Sequence, residues 1–244
     1  MKTVKLVSLT AVMVAALAIP APSVATTWDF VALAGGADQP LGSSFSFVQG
    51  SQTVEAFALA PGGAPGSWME GSLAATGCGG ATANDPCLFT KGAGAPFPSP
   101  EHGLGLVPDG DHEIFRPDGI GIDASSAVSA IQISSVQSDE SWQVQACSAG
   151  FVACVTVAQG IGSGSGELVT VSGAALGGGH IFVVDVPCTN KTPCMGGTTD
   201  AGNDILLSSV TTGARIGDVP EPATLALFAL ALVGIVLARR ARTL

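Results

Sequence analysis

Between residues 26 and 218 the chain consists of short apolar runs that turn-forming residues interrupt every few positions. The runs are rich in Val, Ile, Phe and Thr, the interruptions are rich in Gly, Ser, Pro and Asp, and no long stretch has helical periodicity. This pattern is typical of an all-β sandwich or barrel, and the length suits one sandwich with its own core. The predicted strands are residues 27–33, 43–48, 53–59, 119–123, 128–136, 141–147, 151–158, 167–172, 180–186 and 204–212.

Two neighbouring runs show the alternation of a strand with one buried face. Apolar and polar residues alternate through 141–147 and again through 151–158, which places Trp142 and Val144 on the core side. The residues between the runs, 148–150, predict a tight hairpin turn. Residues 61–108 are instead rich in Gly and Pro and predict an ordered segment made mostly of loops.

The first 25 residues have the features of a secretory signal peptide. Lys2 and Lys5 precede an apolar run over residues 6–19, and small residues around Ala25 follow Pro20. We expect cleavage after Ala25, which gives residues 1–25 as a removed signal. The alternative is an uncleaved membrane helix, which the short run and the prolines disfavour.

The other end predicts a single transmembrane helix. Residues 223–238 are almost entirely apolar and are followed by Arg239, Arg240 and Arg242. Such a helix is about 24 Å long, slightly short of a hydrocarbon core of about 30 Å. The arginines predict a cytoplasmic end, with residues 26–222 on the far side of the inner membrane. A buried core helix is the alternative, but residues 224–238 carry no charge that would mark a solvent face.

Immediately before this helix stands the motif Val219, Pro220, Glu221 and Pro222. The order of this motif, a short apolar helix and an arginine cluster at the chain end resembles the PEP-CTERM sorting signal of exported bacterial proteins that exosortases process. The resemblance covers residues 219–244. It implies an exosortase as processing partner, a transient single-pass anchor, and a cell-surface or extracellular location after cleavage. It also implies a Gram-negative source that makes an extracellular polysaccharide matrix. A permanent anchor is the rival interpretation.

The body resembles, less specifically, the jelly roll that is common among PEP-CTERM proteins. The resemblance rests on the order of short segments at 103–106, 111–113, 119–123 and 203–208. It implies a jelly-roll-like β-sandwich. Related jelly rolls include carbohydrate-binding modules, some of which hold a structural Ca²⁺ ion, but this is an analogy of fold and not of site.

The cysteines predict disulfides. All six lie in the exported span as three close pairs, and an even count in an exported protein favours a disulfide framework. Six cysteines allow fifteen connectivities, of which we expect the nearest-neighbour one. A zinc site is disfavoured because no pair has the C-x2-C spacing. The expected bonds are Cys78 to Cys87, Cys147 to Cys154, and Cys188 to Cys194.

The charge distribution excludes nucleic acid as a partner. Residues 26–222 hold four basic residues (Lys91, Arg116, Lys191 and Arg215) against all nineteen acidic ones, a net charge of −15. Phosphate neutralisation requires Lys and Arg that this span lacks. Docking onto anionic lipid is disfavoured for the same reason.

An acidic cluster predicts a candidate Ca²⁺ site, since carboxylate oxygens are the ligands that calcium prefers. The cluster spans residues 109–123, and the candidate ligands are Glu113 and Asp118 together with Asp204 from the last strand. It does not have the spacing of an EF-hand. The alternative is a set of solvated turn residues, because Asp-Gly turns explain two of the acids without an ion. No other cofactor is expected.

Catalytic motifs are missing from the sequence. It contains neither Gly-x-Ser-x-Gly nor His-Glu-x-x-His. A carboxylate pair such as Glu101 and Glu113, or Asp139 and Glu140, has the residue types that hydrolyse glycosides, but nothing distinguishes such a pair from surface acids. We therefore expect that the protein is not an enzyme.

The three tryptophans offer one candidate ligand contact. Trp68 follows Pro65 and Gly66 in a predicted loop and is the best candidate for an exposed ring that binds sugar, whereas Trp28 and Trp142 are expected in the core. We predict an exported structural or adhesive protein associated with exopolysaccharide or biofilm. A carbohydrate-binding module that binds polysaccharide and is stabilised by Ca²⁺ is the second hypothesis. A matrix-modifying hydrolase is the third.

Overall fold

A computed structural model describes residues 25–92, 97–107, 111–115, 117–187 and 205–213. These belong to one compact unit, Ala25–Gly213. Several predicted features lie outside the described residues. These are residues 1–24 of the predicted signal peptide, the pair Cys188 and Cys194, Asp204, and the sorting signal at 219–244.

Within the described residues, fourteen strands form two antiparallel sheets. In sheet I the order is β12-β9-β14-β7-β6-β2, and β1 also pairs with β14; its strands are β1 (Thr26–Asp29), β2 (Gln39–Gly42), β6 (Cys87–Lys91), β7 (Gly103–Val107), β9 (Val128–Val136), β12 (Glu167–Ser172) and β14 (Leu206–Thr212). In sheet II the order is β11-β10-β13-β8-β4-β3, and β5 also pairs with β4; its strands are β3 (Ser44–Gln49), β4 (Gln52–Pro61), β5 (Trp68–Glu70), β8 (Gly119–Ala124), β10 (Ser141–Ser148), β11 (Val152–Ile161) and β13 (Ile181–Asp185). A one-turn helix, α1 (Phe30–Leu33), and two 3-10 segments, Ala75–Gly80 and Gly173–Leu176, complete the described elements.

The core lies between the two sheets and takes one face of each. Ile131 and Val210 are fully buried on neighbouring strands of sheet I, and Ile120 and Val184 on neighbouring strands of sheet II. Trp28 is fully buried as well, and its indole N–H donates to Thr212 Oγ1 at 2.9 Å. The all-β prediction is therefore confirmed at the level of two packed antiparallel sheets. The jelly-roll connectivity stays a prediction.

Several predicted boundaries were wrong for local reasons. The strand predicted over 27–33 ends at Asp29, because the Asp29 side chain accepts a hydrogen bond from the backbone N–H of Ala32 and starts α1. The loop-rich segment predicted over 61–108 contains β5, β6 and β7. The sequence did not indicate β7, because its glycines weaken the strand pattern. Backbone atoms of other residues lie close to Gly103 and Gly105.

The predicted hairpin at 148–150 forms, but its second strand is less regular than expected. The pairing of β10 with β11 shifts register twice, and Phe151 and Ala153 have φ of 53° and 51°. These irregularities break the expected alternation. Phe151 is buried against Leu59 and Val183 on the outer face of sheet II, while Val155 is largely exposed.

Both disulfide bonds that fall within the described residues are formed, Cys78 to Cys87 and Cys147 to Cys154. The second links the two strands of the irregular hairpin. Within the same described ranges, no helix is long and apolar enough to cross a membrane, and the helix predicted at 223–238 lies outside them.

Candidate functional site

A groove crosses the outer face of sheet I. It has a volume of about 250 Å³, which is less than the ~300–1,000 Å³ of a typical drug-sized ligand pocket. The lining residues come from four adjacent strands and one loop: Thr27 of β1, Ser209 and Thr211 of β14, Ala130 and Gln132 of β9, Thr170 of β12, and Phe97 and Pro98 of the loop before β7.

Strand register brings these residues together. Thr27 pairs with Thr211 and Ser209 pairs with Gln132, and directly opposed residues of antiparallel strands point to the same side of the sheet. The alternate residues, such as Trp28 and Val210, enter the core. Alternation therefore gives each of these strands an apolar inner row and a hydroxyl or amide outer row.

The groove lining carries no charged side chain, and most of its surface is apolar. Its lining offers hydroxyl and amide groups, which both donate and accept hydrogen bonds. The hydroxyls of Thr27 and Thr211 lie 3.2 Å apart. Ser209 is only 4% exposed and borders the groove.

The groove has one aromatic wall. The Phe97 ring is 39% exposed and stands 5.5 Å, centre to centre, from the His102 ring. His102 is itself fixed, because its Nε2 contacts Asp29 Oδ1 at 2.7 Å and its Nδ1 contacts the carbonyl oxygen of Gly92 at 3.3 Å. The wall is thus held by contacts to β1 and to the end of β6.

The contacts of His102 also argue against a serine nucleophile at this place. Both ring nitrogens face acceptors, so neither is available to take a proton from a hydroxyl. Ser134 donates to the main-chain oxygen of His102, not to its ring. The Asp, His and Ser side chains near the groove therefore do not form a catalytic triad.

Glu113, a predicted calcium ligand, is the buried member of an ion-pair cluster whose other members, Lys91 and Glu101, are partly exposed. Its carboxylate pairs with Lys91 and accepts a hydrogen bond from Ser135 at 3.1 Å, and Lys91 also contacts Glu101 at 3.2 Å. Burial raises the pKa of Glu113, and the pairing with Lys91 works against that rise. Burial alone would lower the pKa of Lys91, but the two glutamates outweigh it and the pKa is raised.

This cluster disfavours two of the predicted roles. A calcium ion at Glu113 would have to displace the lysine, and the space between Glu101 and Glu113, where a glycosidic bond would need to enter, holds the lysine Nζ. In the described ranges no three His, Cys, Asp or Glu side chains are grouped to bind a metal. The calcium site predicted at Glu113, Asp118 and Asp204 stays a prediction, since Asp204 lies outside the described residues.

Asp118 is only 1% exposed, and neither of its carboxylate oxygens has a hydrogen-bond partner in the part of the chain that the structure describes. Burial raises the pKa of Asp118 to about 8, so the side chain is mostly protonated at neutral pH. Such a group is a source of instability and not a solvated turn residue, which was the alternative prediction.

Trp68 lies on the opposite sheet from the groove. It is half-buried in β5, not exposed in a loop as predicted, and packs on the cluster of Leu59, Phe151 and Val183. Its role in ligand binding stays a prediction. Trp28 is in the core as expected, and Trp142 is half-buried against the core.

The polar groups next to Trp68 are already paired with one another. Gln143 and Gln145 donate to the two oxygens of Asp185 at 2.7 and 3.0 Å. Burial raises the pKa of Asp185 to about 6, and the two hydrogen bonds work against that rise. This side of the molecule therefore offers an aromatic ring but fewer free hydrogen-bonding groups than the groove does.

Sequence reasoning missed the groove. The sequence indicates Phe97 only weakly, because prolines flank it within the segment predicted to be mostly loops. The sequence gives no signal for the floor of the groove. Thr27 and Thr211 are 184 positions apart and become neighbours only because β1 pairs with β14.

A family model described as the PEP-CTERM protein-sorting motif matches residues 218–242. The match includes Val219, Pro220, Glu221, Pro222, Arg239 and Arg240 and confirms the resemblance that the sequence suggested. Neither the curated proteins nor the solved structures gave a match.

Proposed function

Because the chain carries the PEP-CTERM sorting signal of an exported protein that an exosortase processes, we propose that its β-sandwich acts at the cell surface as an adhesive matrix component that binds neutral polysaccharide. The observation that carries the proposal is the groove on sheet I, which hydroxyl and amide groups line together with the half-exposed ring of Phe97. Aromatic faces pack on sugar rings, while hydroxyl and amide groups exchange hydrogen bonds with sugar hydroxyls.

Charge favours a neutral polymer over an acidic one. Lys91 is the one Lys or Arg within the described residues, and two glutamates hold it. The span 26–222 has a net charge of −15, so uronic acid or sulfated polymers would be repelled as they approach. The groove lining itself carries no charge.

The proposal is tested by titrating the protein recovered from the cell surface with neutral glucans, mannans, xylans and galactans, and with polyuronates. We expect binding to at least one neutral polymer and none to polyuronates. Phe97→Ala and Ser209→Val should each weaken that binding at least tenfold, which corresponds to about 1.4 kcal/mol.

Met69→Ala is the matched control, because Met69 is 54% exposed on sheet II and far from the groove in the sheet order. Trp68→Ala tests the alternative binding surface. Binding that depends on Trp68 and not on Phe97 would place the site on sheet II and contradict the proposed site in the groove. The absence of any glycan binding would contradict the proposed function.

A further inference from the structure

The outer face of sheet I forms rows of side chains across the strands, and these rows extend beyond the groove lining to Asp29 and Ser172. In the register of β1, β14, β9 and β12, one row consists of Thr27, Thr211, Ala130 and Ser172, and the next row consists of Asp29, Ser209, Gln132 and Thr170. Each row contributes one side chain per strand. All but Ala130 carry a hydrogen-bonding group.

The repeat distance follows from sheet geometry. Neighbouring strands lie about 4.8 Å apart, so successive side chains of a row are spaced by that distance. This spacing is close to the length of one sugar residue in an extended β-1,4-linked chain. A chain laid across the strands would therefore present one residue to each strand in turn.

The loop wall runs in the same direction as the rows. At one end, His102 of this loop contacts Asp29 on β1. Near the other end, Pro100 lies against Gly166, which comes just before β12, since a methyl group on Gly166 would stand 3.2 Å from the Pro100 Cβ. The loop thus borders the second row from β1 to β12 and leaves a channel that crosses four strands.

Resting on the proposed function, we propose that the groove selects extended, ribbon-like neutral β-glycans over coiled glycans, and that a bound chain crosses the four strands with about one sugar residue over each. Selection comes from register: a coiled chain, such as an α-1,4- or β-1,3-linked glucan, cannot keep one sugar residue over each strand. Affinity therefore rises with chain length up to the number of strands crossed.

The test uses the surface form of the protein and hexasaccharides matched in length. β-1,4-linked hexamers of glucose, mannose and xylose form extended ribbons, whereas maltohexaose and laminarihexaose coil. We expect at least one ribbon-forming hexamer to bind at least tenfold more tightly than both coiled ones. We also expect its affinity to rise from dimer to tetramer and then level off.

Two variants locate the effect. Thr170→Ala, at the β12 end of the second row, should reduce affinity for the tetramer more than affinity for the dimer, and Thr156→Ala on sheet II should change neither. Equal or tighter binding of the coiled hexamers would overturn the selection while leaving glycan binding intact. Loss of binding to every polymer and oligomer would instead overturn the proposed function itself.

Discussion

The carboxylate of Asp29 joins the start of α1 to the ring of His102: one oxygen, Oδ1, accepts from the backbone N–H of Ala32 at 3.1 Å and contacts His102 Nε2 at 2.7 Å. A single side chain therefore ends β1, caps the helix and anchors the loop that forms the groove wall. These contacts couple the stability of the N-terminal strand to the shape of the groove.

Asp29→Ala should destabilise the protein by about 1–2 kcal/mol, because the cap is lost together with the contact to His102. Asp29→Asn should cost less, since Asn also caps helices well. Urea unfolding followed by circular dichroism measures both. An alanine variant as stable as the parent would show that neither contact matters.

Asp118 should make stability depend on pH. Its pKa is about 8 in the folded protein and near 3.8 in the unfolded chain, so the folded state binds an extra proton between these values. The contribution of this group to folding is fully present below about pH 4 and is lost as pH rises towards 8. The total is on the order of a few kcal/mol.

Asp118→Asn should remove this dependence and raise the melting temperature at pH 8. Asp185→Asn is the comparison, because the pKa of Asp185 is raised to about 6 and its effect on stability is confined to the window between about pH 4 and 6. A parent protein whose stability is flat from pH 4 to 8 would contradict the burial of Asp118.

Gly105→Ala should prevent normal folding. A Cβ at this position on β7 would stand 1.7 Å from the carbonyl oxygen of His112, and a backbone atom cannot move aside as a flexible side chain can. Gly79→Ala is the control, because nothing lies within 4 Å of the added methyl there. Comparable soluble yields and melting temperatures for the two variants would refute the close approach of residues 105 and 112.

Removing the Cys147 to Cys154 bond by a double Ser substitution should lower stability by about 2–3 kcal/mol in the chain-entropy model. Peptide mapping without reduction should recover the 78–87 and 147–154 links from the exported protein. Free thiols at these four positions would contradict both bonds.

A feature of the fold could be predicted from sequence when the residues that indicate it lie close together in the chain. Alternation identified β10, a run rich in Val and Ile identified β9, and close cysteine spacing identified the two described disulfides. Short or glycine-rich strands such as β5 and β7 carried too little periodicity. The partners of Glu113 were equally hidden, because Lys91 and Ser135 reach it from strands that are distant in sequence.

The site was harder to predict than the fold for the same reason. A row such as Thr27, Thr211 and Ala130 exists only because β1, β14 and β9 are neighbours, and nothing near Thr27 in the sequence indicates β14. The sorting signal, by contrast, is contiguous, so its motif, helix and arginines could be recognised directly.

The central claim is that the sandwich works outside the cell after both terminal signals are removed. The most direct measurement is the intact mass, with both terminal sequences, of the form recovered from the cell surface. The account predicts a chain that begins at Thr26 and ends at or before the region of Pro222. A surface form that retains residues 223–244, or a protein found only in the cytoplasm, would contradict it.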